Sequence, residues 1–72
     1  MFFNERLKTL RKNNNISQLE LSKQIGVSRR MVQIYESAEK EPTMSKLISI
    51  ADCFNVSIDY LCGRTDNPNI NI

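Results

Sequence analysis

The stretch from Ser17 to Glu36, SQLELSKQIGVSRRMVQIYE, decides the fold. Its first residue is a good helix N-cap, and Glu20, three residues on, completes a capping box in which side chains satisfy the first free N–H groups of a helix. Leu21 and Ile25 lie four apart on one face of that helix, and Gly26 follows where a helix end favours a residue that tolerates positive φ. Val27 is expected to be buried in the turn. Ser28 then caps a second helix in which Val32 and Tyr35 share a face. Two helices joined by a short turn containing glycine have the helix-turn-helix spacing.

At about 100° per residue, Ser28, Val32 and Tyr35 of the second helix are predicted to point inward, with Met31 at the edge. Arg29, Arg30, Gln33, Ile34 and Ser37 are left on the outer face. An α-helix fits the major groove of B-DNA, and the forked donors and acceptors of arginine and glutamine match guanine and adenine edges. Paired arginines on a helix are common on solvated surfaces. Their place in the first turn after this particular turn is what favours contact with bases.

Outward from this core, Phe3, Leu7 and Leu10 form one helical stripe flanked by Arg6, Lys8, Arg11 and Lys12, and the run Asn13–Asn15 ends that helix. Ile16 is expected to tie the turn to the core, and Leu19, off the stripe, to be exposed without a role. After Glu36 comes a polar loop closed by Pro42. Thr43 can cap a fourth helix in which Leu47, Ile50, Ala51 and Phe54 form a face widened by Met44 and Ile48, the predicted floor under the first three helices. Ser57 caps a short fifth helix that Gly63 stops. No segment alternates with period two. The expectation is an all-α, compact five-helix bundle over residues 1–63, with 64–72 as a C-terminal tail or linker.

Composition narrows the function. The chain has 72 residues, enough for one domain near the lower size limit for a self-supporting apolar core. Residues 1–46 hold nine basic and five acidic side chains and residues 47–72 one and three, so the halves carry +4 and −2, which suits an anionic partner met on one side. Cys53 and Cys62 come with no histidine, so a metal site is not expected, and both read as small core hydrophobes in a reducing cytoplasm. Without a leader or a membrane-length apolar run, the expected location is cytoplasmic. Glycine-rich phosphate loops and evident paired carboxylates are also missing, which argues against an enzyme or a cofactor.

The motifs RLKTLRKNNNIS, SQLELSKQIGVS, YES, Pro42 and FNVSIDYLCG, in this order over residues 3–63, resemble the lambda-repressor-like family of helix-turn-helix regulators, of the Cro and xenobiotic-response-element type. The resemblance implies double-stranded DNA as partner, a homodimer on a pseudo-palindromic operator, and transcriptional control, most often repression. It implies base-facing positions at Arg29, Arg30, Gln33 and Ile34, the last suited to a thymine methyl. Phosphate contacts fall on Ser17, Gln18, Ser28, Ser37, Lys40 and Thr43, and a structural ion pair on Arg11 and Glu36. Ala38 stands where the family usually has glycine, and Glu39 and Glu41 replace commonly basic loop residues. Ile58, Tyr60, Ile70 and Ile72 have no evident place in a five-helix core and are expected at a dimer interface. The alternative is a protein-interaction module of the same fold, an antagonist or partner of a related regulator.

Overall fold

Five helices are present in the computed structural model, which describes residues 2–70: α1 (Phe3–Asn13), α2 (Gln18–Ile25), α3 (Arg29–Glu36), α4 (Met44–Phe54) and α5 (Ile58–Leu61). No strand occurs among the described residues. The last four helices begin on a hydroxyl cap: Ser17, Ser28, Thr43 and Ser57 accept from the N–H of Glu20, Met31, Lys46 and Tyr60. The capping box between Ser17 and Glu20 is formed in both directions. Each join between helices also holds one left-handed residue: Asn15, Gly26, Ala38 and Asn55.

The packing closes a circuit. Helix α2 packs on α3, α3 on α1, α1 on α5, α5 on α4, and α4 back on α2. Inside it lie Leu7, Leu10, Leu21, Ile25, Val32, Tyr35, Ile50, Ala51, Val56 and Leu61. Burying side chains such as Leu7, Leu21 and Leu61 stabilises the fold by roughly 1.5–3 kcal/mol each, as an upper estimate. Phe3 adds an edge-to-face contact with Tyr35, ring centres 6.4 Å apart.

Several sequence expectations are corrected here. Helix α4 is not a floor for the first three helices, since its main neighbours are α2 and α5. Met44 and Ile48 do not widen its buried face but stand exposed. Arg6, read only as one of the basic residues flanking the α1 stripe, is buried, its guanidinium 3.9 Å above the Tyr60 ring and its Nη2 3.5 Å from Asp66 Oδ1. Its Nε is buried with no hydrogen-bond partner among the described residues. Tyr60 therefore has a place in the bundle after all, packed against the core beneath Arg6. Residues after α5 fold back on it: Arg64 N–H donates to the Asp59 carbonyl at 2.8 Å, and Ser57 N–H to the Pro68 carbonyl at 3.0 Å.

Ala38 has φ 65°, the left-handed conformation that suits the glycine usual at this position in the resembled family. The cost for an L-residue there is roughly 1–2 kcal/mol, and glycine gives part of the relief back through a more flexible unfolded chain. Ala38→Gly is therefore expected to stabilise the domain by about 0.5–1 kcal/mol, seen as a higher urea midpoint with an unchanged slope. A lower midpoint would show that the methyl group contributes more through packing than the backbone loses through strain.

Candidate nucleic-acid interface

Helix α3 is held by Val32 and Tyr35, both buried in the core, so its opposite side is set outward by helical phase. Arg29 and Arg30 occupy its first turn, are exposed, and make no hydrogen bond or ion pair among the described residues. One turn on, Gln33 and Ile34 are half-buried, so they form the rim of the outer face rather than its crest. Ser37 is exposed and its hydroxyl donates to the Ile34 carbonyl at 3.0 Å. Ser28 is not inward as its phase suggested. It is exposed, because a capping residue lies outside the helical spiral and its Oγ must face the Met31 N–H, 3.1 Å away.

The remaining phosphate candidates lie at helix starts and in the loop after α3. Ser17 and Thr43 are exposed caps of α2 and α4, where free N–H groups and the helix dipole favour anions. Lys40 is exposed in the loop between Glu39 and Glu41, which are exposed too. Gln18, the first residue of α2, is half-buried and already engaged: its Nε2 donates to Glu36 Oε1 at 3.2 Å.

Glu36 is the centre of this arrangement. Arg11 grips its carboxylate with two prongs, Nε to Oε2 at 2.7 Å and Nη2 to Oε1 at 3.2 Å, while Nη1 donates to the Ile16 carbonyl at 3.1 Å. The Glu36 side chain is 3% exposed and that of Arg11 13%, so the expected pair is formed and largely withdrawn from water. One carboxylate thus joins the end of α3, the end of α1, the turn after it and the start of α2.

A second anchor escaped the sequence reading. Lys46 reaches from α4 to the end of α2, where its Nζ donates to the Ile25 carbonyl at 2.9 Å and the Gly26 carbonyl at 3.5 Å. A lysine in the first turn of a helix carries no signal of this, because the partner is a backbone group 21 residues away. Gly26 has φ 73°, and a Cβ there would come 3.3 Å from the same Nζ. The turn of the motif is therefore fixed by glycine from within and by α4 from outside.

Other chemistry is not assembled. Cys53 and Cys62 are half-buried at the edge of the core rather than within it, and Cys53 Sγ donates to Gln24 Oε1 at 2.7 Å. Burial pushes both thiols above their ordinary range, so neither is poised as a thiolate nucleophile. No group of three or more candidate metal ligands occurs among the described residues. An open groove of about 470 Å³ beside Phe2, Phe3, Tyr35 and Leu47 has Lys40 and Glu41 on its lining and no cluster of groups suited to acid–base work. No helix is long and apolar enough to cross a membrane.

Comparison with known proteins fits this geometry. The transcriptional repressor RstR of the cryptic phage CTXphi, from Vibrio cholerae, is 45% identical over 64 residues, which is 89% of this chain and 57% of RstR. The transcriptional activator BcrR of Enterococcus faecalis is 41% identical over 61 residues, covering 85% of this chain but 30% of BcrR. The chain thus spans between about a third and three fifths of the length of these relatives. Among solved structures, the P22 c2 repressor in complex with a synthetic operator superposes with a TM-score of 0.82 at 32% identity, covering 86% of this chain and 94% of that one. The helix-turn-helix family profile matches residues 7–61, most of the chain, and with these relatives it places the protein in the lambda-repressor-like helix-turn-helix family.

Proposed function

We propose that the chain is a sequence-specific DNA-binding transcriptional regulator, a repressor that sits on a pseudo-palindromic operator as a homodimer and reads the major groove with residues 28–37. The observation that carries this reading is the pair Arg29 and Arg30, exposed and unpartnered in the first turn of the second motif helix. Two guanidiniums there can meet guanine O6 and N7, the commonest specific contact in the major groove. The α2 and α4 N-termini with Lys40 supply backbone contacts that fix register without reading sequence. Repression as the direction of control is supported by RstR, a named repressor 45% identical over 64 residues. Selection of bound sequences from a random DNA pool, followed by gel shifts at low and moderate salt, tests the reading. Enrichment of one two-fold-related motif is the expected result.

The acidic loop residues Glu39 and Glu41, exposed on both sides of Lys40, favour the second reading, a module of this fold that binds a protein partner. No enriched sequence and no retardation even at low salt would select it.

For the dimer, Ile58 and Ile70 are exposed and share a shallow depression with the exposed Ile48, whereas Tyr60 is engaged beneath Arg6 and Ile72 lies outside the described residues. A two-fold dimer through this patch brings two recognition helices to half-sites about 10 base pairs, or a multiple, apart. Ile58→Asp is expected to turn a sedimenting dimer into a monomer and to weaken binding to the full operator far more than to an isolated half-site. A wild-type protein that sediments as a monomer both free and on its operator removes this interface.

A further inference from the structure

We propose that Glu36 is a positioning residue that sets the polarity of the Gln18 carboxamide, and thereby leaves one Gln18 N–H aimed at a DNA phosphate. The inference rests on the DNA-binding reading above. A glutamine amide has two N–H donors on nitrogen and an acceptor oxygen, and the two ends are close to the same size, so an isolated glutamine at a helix start presents either end outward. Here the choice is made by charge. Glu36 Oε1 lies 3.2 Å from the Gln18 nitrogen, and a carboxylate in that position repels the amide oxygen. The carboxylate is itself locked by the Arg11 fork and is 3% exposed, so it cannot rotate away to water. With one N–H spent on Glu36, the second N–H of the same nitrogen has no partner among the described residues and sits at the start of α2, where an anion is favoured.

This assigns Glu36, a buried acidic side chain, a favourable part in binding an anion. Glu36→Leu removes the acceptor altogether, so the Gln18 amide is then free to turn its oxygen, instead of an N–H, toward the phosphate.

The test has one arm on the free protein and one on the complex. In the wild-type protein, NMR of the Gln18 side-chain amide is expected to show one geminal proton shifted downfield and slow to exchange, with the other near free-amide values. Both protons at the shifts and exchange rates of a free glutamine amide would overturn the proposal whether or not any variant folds. On the selected operator, Gln18→Ala is expected to weaken binding by about tenfold, the loss of one charge-assisted hydrogen bond. Glu36→Leu, measured at a temperature where circular dichroism shows it folded, is expected to weaken binding in the same direction by up to about tenfold. The double variant should bind no more weakly than Gln18→Ala alone, because Glu36 acts through Gln18. Losses that multiply in the double variant would make Glu36 merely structural and overturn the proposal. Wild-type protein that retards no DNA at low salt would instead remove the DNA-binding reading, and with it the phosphate role, while the NMR result still decides the amide geometry.

Discussion

Arg11→Met is expected to lower the stability of the domain by about 3–5 kcal/mol, the cost of leaving one member of a buried pair uncompensated. Glu36 keeps almost no exposure, so without the guanidinium its carboxylate has neither water nor a counter-charge. The Ile16 carbonyl loses its donor in the same step. Domains of this kind are typically stable by about 5–15 kcal/mol, so the variant should approach half-unfolded conditions at low urea. Urea unfolding followed by circular dichroism measures it, with an unchanged slope as the sign that the denatured state has not altered. The second ion pair is the contrast: Asp66 is fully exposed and 3.5 Å from Arg6, and Asp66→Asn is expected to leave the midpoint nearly where it was. Equal midpoints for Arg11→Met and the wild-type protein would mean that the buried geometry contributes no net stability.

The helix starts were legible in the sequence because capping chemistry is local. Ser17, Ser28, Thr43 and Ser57 each need only a backbone N–H three residues on, and each finds it. Gly26 was legible as a left-handed end for the same reason, whereas Ala38 was singled out only through the family resemblance, since nothing local about an alanine favours positive φ. Arg11 and Glu36 were named through the family resemblance, since nothing local pairs residues 25 positions apart. What stayed hidden depends on where helices meet in space. Arg6 lies one residue from Leu7 and so reads as flank, yet the packing of α1 on α5 drives it over Tyr60. Lys46 reads as an ordinary basic residue until α4 lies against the end of α2. Met44 and Ile48 have the right phase for burial, but α4 is covered mainly on the side of α2 and α5, so phase alone overstates the buried arc. The candidate contact residues were legible as a class, exposed groups on one helix. Their division between rim and crest, with Gln33 and Ile34 half-buried, came only with the packing of α3.

Arg30→Ala is expected to weaken binding to the selected operator by about 1–3 kcal/mol and to relax the preference at one base position, leaving the others as they were. Arg30 is exposed, unpartnered and, by helical phase, opposite the buried Val32 and Tyr35 face, so its fork is the one nearest the centre of the outer surface. The loss should fall mostly on the specific complex, because a guanidinium that bridges O6 and N7 contributes where guanine is present and little elsewhere. Lys40 gives the opposite pattern. It lies in the loop after α3, away from the helix that enters the groove, and its ammonium can neutralise a phosphate but has no geometry to choose a base. Lys40→Ala should therefore weaken operator, single-base variants and random DNA by similar factors, and reduce the slope of log affinity against log salt by about 1. Glu39 and Glu41 lie on either side of it and limit the gain from that cation, so the effect of Lys40→Ala should be smaller than that of Arg30→Ala on the operator itself. A binding series across these three kinds of DNA at several salt concentrations separates the roles. An Arg30→Ala protein that loses affinity equally for every sequence, with no position relaxed, would place base recognition elsewhere than on the first turn of α3.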